Sequence, residues 1–142
     1  MIVVVDASVA VRWSIRDGYS EAADRLLGSD ALVFAPDLVF SELANALWKM
    51  ERAGMISAEQ ADHALIEIPR SFDRVFGTAP FFERSYEIAR TLKHPAYDCF
   101  YLALSEALQA PLVTLDARLF RRTRGTPWEG LTTLLDAAAA PT

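Results

Sequence analysis

Ile2-Val3-Val4-Val5-Asp6 opens the chain, and Leu112-Val113-Thr114-Leu115-Asp116 repeats its form late in the sequence. A continuous β-branched or aliphatic run marks a strand buried on both faces of a parallel sheet, because a strand with one wet face alternates apolar and polar residues. Each run ends in an aspartate. Ligand sites in open parallel sheets lie beyond the carboxyl ends of the strands, so Asp6 and Asp116 are expected on one functional edge.

Working outward from these runs, Leu32-Val33-Phe34-Ala35 reads as another strand, Arg74-Val75-Phe76 as a short one and Leu131-Thr132-Thr133-Leu134 as a last one. Helical patterns separate them. Ser8 suits an N-cap or first-turn position of a short helix carrying Val9, Val11, Trp13 and Ile15. Tyr19 to Leu27 has an apolar stripe closed by Gly28, and Pro36 is placed to open a long helix reaching about Arg52. Ser57 and Gln60 form a capping box for a helix to about Ile68. Phe82 to Leu92 is followed, after Lys93-His94-Pro95, by the strongly helical Ala96 to Gln109, and the alanine-rich end from Asp136 is expected to fray. Strands alternating with helices predict right-handed crossovers and an α/β fold with a mostly parallel sheet.

The length of 142 residues suits a single domain, 1–142, that buries roughly two thirds of its unfolded surface. No run approaches the roughly 20 apolar residues of a membrane span, and Ile2 to Val5 is too short for a signal peptide. A cytoplasmic protein with no membrane partner is expected. The lone Cys99 excludes an intramolecular disulfide and a cysteine metal cluster, leaving core filling as its role. A formal charge of −5 argues against a nucleic-acid partner, but setting four acids aside for a metal leaves only about −1. Twelve of the fourteen bases are arginine, and Arg118, Arg121, Arg122 and Arg124 crowd just after Asp116. Arginine suits bidentate phosphate contacts; a solvated helix face is the plainer reading.

Two further acids fall inside strongly apolar helical segments, Glu42 and Asp98. A carboxylate stripped of water needs a cation or hydrogen bonds in its place. Asp98 alone is explained by its position in a first helical turn, where the dipole favours it by about 0.3–1 kcal/mol. Asp6, Glu42, Asp98 and Asp116 gathered together would instead raise one another's pKa unless a hard divalent cation sat among them. Oxygen donors without nearby His or Cys select Mg2+ or Mn2+ over zinc, and such an ion can polarise a phosphoryl oxygen and acidify a bound water. His63, on a polar helix, and His94, in a turn, are expected on the surface. Trp13, Trp48, Phe40 and Leu47 either fill the core or line a groove for a partner helix.

The ordered set Asp6-Ala7-Ser8, Ser41-Glu42-Leu43-Ala44-Asn45, Tyr97-Asp98-Cys99-Phe100-Tyr101-Leu102-Ala103-Leu104 and Thr114-Leu115-Asp116 resembles PIN-domain nucleases. In order, spacing and length it is most similar to the VapC toxins of bacterial type II toxin–antitoxin modules. The resemblance implies a three-layer α/β/α sandwich that cleaves RNA with Mg2+ or Mn2+, as a homodimer held silent by a VapB-like antitoxin. It assigns Asp6, Glu42, Asp98 and Asp116 as the catalytic and metal-binding acids, and Ser8, Asn45 and Thr114 as supporting residues. Products with 5′-phosphate and 3′-hydroxyl ends follow from the same resemblance. Arg118 and Arg121, an i, i+3 pair leaving the Asp116 corner, are expected to contact the RNA backbone.

Other classes fit less well. A haloacid-dehalogenase-like phosphatase also places Asp after an apolar first strand, but wants a second acid where Ser8 stands. A receiver domain wants an acid pair before the site and a late lysine, and the lysines here are Lys49 and Lys93. A catalytically inactive PIN-fold module that binds RNA or protein is the remaining alternative, against which all four acids are intact.

Overall fold

The structure, a computed structural model, describes residues 1–136. The alanine-rich end after Asp136 lies outside the described residues. Five parallel strands, β1 (Ile2–Val5), β2 (Leu32–Pro36), β3 (Arg74–Phe76), β4 (Leu112–Thr114) and β5 (Thr132–Leu134), form one sheet in the order β3-β2-β1-β4-β5. The register pairs Val3 with Val33, Val5 with Val113, and Val113 with Thr133. Val3, Val4, Val5, Val33, Leu112 and Val113 are all buried, as continuous apolar runs require. The sheet is wholly parallel.

Seven helices connect the strands: α1 (Ala7–Ala10), α2 (Ser20–Gly28), α3 (Leu38–Arg52), α4 (Ala58–Glu67), α5 (Phe82–Leu92), α6 (Ala96–Leu108) and α7 (Ala117–Thr123). The chain winds outward from β1 to β2 and β3, then returns across the sheet to β4 and β5. Right-handed crossovers place the helices of these two excursions on opposite faces, which is the three-layer α/β/α arrangement. The winding direction reverses between β1 and β4, and that switch point is where such folds open a crevice. Asp6 and Asp116 follow those two strands.

Two elements differ from expectation, one in where it starts and one in how it ends. The long helix starts at Leu38, not Pro36, because Pro36 ends β2 opposite Phe76 and the next residue, Asp37, donates its N–H to Phe76 O at 2.7 Å. A proline at the end of a strand gives up no ladder bond the sheet needs. The first helix is capped by Asp6 with Ser8 in its first turn, and it tightens into a 3-10 turn over Val11–Trp13 instead of continuing to Ile15. The capping box holds as read, with Gln60 N to Ser57 Oγ at 3.1 Å and Ser57 N to Gln60 Oε1 at 2.8 Å.

α3 buries Val39, Leu43 and Leu47, a stripe at i, i+4, i+8. Glu42 borders that stripe and is half-buried for this reason. α6 buries six of its thirteen residues, including Cys99, Tyr101, Leu102 and Leu104, and packs on β1, β2, β4 and α5. The aromatic residues divide. Trp13 donates Nε1–H to Ala23 O at 2.9 Å and packs edge-on to Phe72, and Leu47 is buried, whereas Phe40 and Trp48 are exposed. Among the described residues, no helix is long and apolar enough to cross a membrane.

Candidate active site

Asp6 is the centre of the arrangement, 7% exposed at the end of β1. Ser8 donates to Asp6 Oδ1 and Thr114 to Asp6 Oδ2, each at 2.5 Å. Both hydroxyls are themselves oriented by backbone N–H groups just beyond β4. Leu115 N–H donates to Ser8 Oγ at 3.0 Å, and Asp116 N–H donates to Thr114 Oγ1 at 3.0 Å. These bonds lace the ends of β1 and β4 together and leave Asp6 few ways to turn. Burial pushes the Asp6 carboxyl up to about 6 from an ordinary 3.8; the bonds from Ser8, Thr114 and Val9 N–H oppose this, and the charge of Asp98 adds to it.

Glu42 and Asp98 reach the same place from α3 and α6. The Tyr101 hydroxyl, itself buried, donates to Glu42 Oε1 at 2.5 Å, joining helices that are 59 residues apart in sequence. Glu42 is raised above the usual carboxylate range by burial first, with Asp6 and Asp98 adding repulsion and the Tyr101 bond opposing. Tyr101 is held well above its ordinary value by burial and by the adjacent Glu42 charge, so it stays a neutral donor. Asp98 lies in the first turn of α6, with Oδ2 at 2.6 Å from His94 Nε2.

His94 is therefore not a surface residue; it is 6% exposed. Lys93 takes a left-handed conformation (φ 53°) that ends α5, and His94 N–H returns to Ala89 O at 3.2 Å. This reversal folds the imidazole under α6, four residues before Asp98, where an i, i+4 pair meets. His94 Nδ1 is buried without a hydrogen-bond partner among the described residues. His63 is exposed, as expected. Tyr101 and His94 are the site neighbours that sequence reasoning misses. The i, i+4 spacing of His94 and Asp98 across Pro95 is a usable signal; the Tyr101–Glu42 contact leaves none.

Asp116 stands at the same sheet edge but apart from the trio. It caps α7, its Oδ1 accepting Arg118 N–H at 2.9 Å and Leu119 N–H at 3.1 Å, and it is tied to Asp6 through Thr114. Asn45 is exposed one turn after Glu42 and makes no side-chain hydrogen bond among the described residues. Arg118 and Arg121 line a cavity on α7 with Arg122 and Arg124.

Asp6, Glu42 and Asp98 thus repel one another, and neither Asp6 nor Glu42 has a basic side chain among the groups that shift it. Such a donor set, all carboxylate oxygen with His94 on Asp98 as its basic neighbour, has the chemistry that suits a hard divalent cation. As the side chains lie, each acid is turned to a protein donor. Among the described residues, no three His, Cys, Asp or Glu groups converge closely enough to hold one ion. Glu42 and Asp98 are both partly exposed and free on one oxygen to reorient toward it.

A three-layer α/β/α fold with carboxylates gathered at the switch point of its sheet defines an acid-centred class of α/β domain. The family model described as PIN domain matches residues 3–125, and the chain belongs to that family. It is 36% identical over 118 residues to ribonuclease VapC9 of Mycobacterium tuberculosis, covering 83% of this chain and 88% of the relative. PAE2754 from Pyrobaculum aerophilum superimposes with a TM-score of 0.67 at 25% identity, covering 89% of this chain and 82% of that one. VapBC2 from Rickettsia felis, solved bound to a DNA fragment from its promoter, shares the fold with a TM-score of 0.65 at 16% identity, covering 96% of this chain and 100% of that one.

Proposed function

We propose that the protein is an endoribonuclease of the VapC type, the toxin of a toxin–antitoxin pair, with residues 1–142 working as one cytoplasmic nuclease domain. The observation that carries this reading is that Asp6, Glu42 and Asp98 lie near enough at the carboxyl edge of the sheet to repel one another, without a basic counter-charge on Asp6 or Glu42. Family membership and relatives named ribonuclease VapC support the choice of RNA as substrate.

Asp6, Glu42, Asp98 and Asp116 are the residues that would hold Mg2+ or Mn2+. When bound, such an ion polarises a phosphoryl oxygen and lowers the pKa of a coordinated water, the chemistry that phosphodiester hydrolysis needs. Ser8 and Thr114 fix both oxygens of Asp6, Tyr101 fixes one oxygen of Glu42, and His94 fixes one of Asp98. Asp6 is thereby held on both oxygens, while Glu42 and Asp98 each keep one oxygen to turn toward the ion. Attack of water on phosphorus in line with the 3′ oxygen, with the P–O3′ bond breaking and the leaving oxygen taking up a proton, would leave 5′-phosphate and 3′-hydroxyl ends.

A VapB-like antitoxin and a homodimer complete the assembly. Exposed Phe40 and Leu65 flank a small cavity of about 120 Å3 between α3 and α4, the kind of apolar surface a partner helix covers, and Trp48 is exposed on α3. The test is cleavage of cellular RNA in Mg2+ or Mn2+ by the wild type, lost in EDTA and lost in Asp98→Asn with melting preserved. Equal cleavage by the Asn variant refutes the acid site. Absence of any RNA cleavage, with binding retained, establishes the inactive module instead.

A further inference from the structure

Arginines elsewhere in this protein are spent on acids of their own surface or on aromatic rings: Arg12 on Asp17, Arg16 on Asp24, Arg70 on Glu67 and Arg84 on Glu106, with Arg52, Arg74 and Arg90 over Trp48, Phe76 and Tyr86. Arg124 is also committed, to Glu129 O at 2.8 Å, Thr132 Oγ1 at 2.5 Å and the face of Phe120, 3.8 Å from the ring centroid. Arg118, Arg121 and Arg122 are the contrast. All three are exposed, and none makes an ion pair with a carboxylate among the described residues. With Arg124 they line one cavity of about 490 Å3.

Arg121 and Arg122 sit in the last turn of α7, where the dipole favours a cation, but Arg118 does not share that advantage. Arg118 sits in the first turn, at the positive end of the helix dipole, where a cation is disfavoured by roughly 0.3–1 kcal/mol. Arg118 and Arg122 are an i, i+4 like-charge pair, which adds a smaller penalty. In a chain of net charge −5 with nineteen acids, unpaired guanidinium groups collected on one short helix are not a by-product of a basic composition. The helix also starts from the site itself: Asp116 is its N-cap, and Arg118 N–H bonds the Asp116 carboxylate.

Resting on the ribonuclease reading above, we infer that this cavity is the track that holds backbone phosphates of a single RNA strand as it leaves the acid site, with Arg118, Arg121 and Arg122 as the mobile contacts. Arg124, pinned by the start of β5, forms the fixed wall. Guanidinium groups pair with phosphate through two parallel N–H donors, and a strand so gripped is positioned irrespective of its base sequence. The arginines offset at a distance the repulsion that the carboxylates exert on the same polyanion, and they touch no reacting atom.

The experiment measures binding separately from cleavage. A fluorescein-labelled random-sequence oligoribonucleotide is titrated by anisotropy in EDTA against the wild type, the triple variant Arg118→Gln/Arg121→Gln/Arg122→Gln, and Arg70→Gln as a surface-charge control. Each arginine withdrawn from a phosphate should lower the slope of log affinity against log salt by about 0.7, so the triple variant's slope falls by about 2. Between about 50 and 200 mM salt, the wild type then loses roughly 20-fold more affinity than the triple variant. Gln is a good helix former, so melting temperatures should coincide. Cleavage in Mg2+ should show a raised KM with kcat kept. A triple variant with wild-type affinity and slope, beside a wild type that binds and cleaves RNA, overturns the track alone. A wild type that neither binds nor cleaves RNA overturns the ribonuclease reading with it. Equal loss in Arg70→Gln, or preference for duplex DNA over the oligoribonucleotide, also overturns the track.

Discussion

Asp6→Asn should make the protein more stable while removing its activity. Asp6 is buried between β1 and β4, and its carboxyl is held at about 6 against 3.8 in the open chain. That gap corresponds to about 3 kcal/mol against the ionised form in the fold. The sign follows from proton uptake. Between 3.8 and 6 the folded protein holds a proton that the unfolded chain has released, so stability falls as pH rises through this window and stays low above it. Asn carries no charge and escapes this penalty. It replaces one acceptor by an NH2 group, however, so one of the Ser8 and Thr114 hydroxyls loses its acceptor, at about 1 kcal/mol. The net gain is about 2 kcal/mol above pH 6, or about 5 °C in melting temperature for a domain of this size. Near pH 4 the gain should vanish and turn into a small loss. Thermal melts of both proteins in EDTA, across about pH 4 to 8, give the answer. Added Mg2+ should then stabilise the wild type and leave the variant unmoved, since ligand binding adds stability only where the site exists. A variant that melts lower than the wild type near neutral pH in EDTA, or a difference that does not change with pH, would refute the account of Asp6 as an uncompensated buried charge.

Two further outcomes follow from the same geometry. Tyr101→Phe keeps the ring packed in the core but withdraws the donor from Glu42, costing about 1.5–3 kcal/mol; RNA cleavage should fall and the Mg2+ needed for half-maximal stabilisation should rise, and an unchanged Mg2+ requirement would show that Tyr101 serves packing alone. Cys99 is fully buried and its thiol is pushed up to about 12, chiefly by burial with Asp98 adding, so iodoacetamide should label it only after denaturation; labelling of the native protein at the rate of a free thiol would contradict the burial.

Much of this molecule is written locally in its sequence. The β-branched run Ile2 to Val5 and the apolar run ending at Asp116 could only be buried parallel strands, and the Ser57–Gln60 box placed the start of α4 within its own four residues. Pro36 misled, because a proline serves equally at a helix start and at the last position of a strand, and the pairing with Phe76 settled which. His94 misled for a related reason. A histidine before a proline reads as a surface turn until the left-handed Lys93 turns it under α6.

The sequence by itself determined the class of fold and the edge on which Asp6 and Asp116 stand, because strand and helix periodicities and strand-end positions are properties of neighbouring residues. Only the tertiary structure decided the strand order that brings Thr114 to Asp6 across 108 residues and Tyr101 to Glu42 across 59. It also decided that Asp6, Glu42 and Asp98 crowd together while Asp116 caps α7 beside them. These contacts depend on how whole elements pack over a shared core, a property of distant residues jointly, and no local pattern carries it.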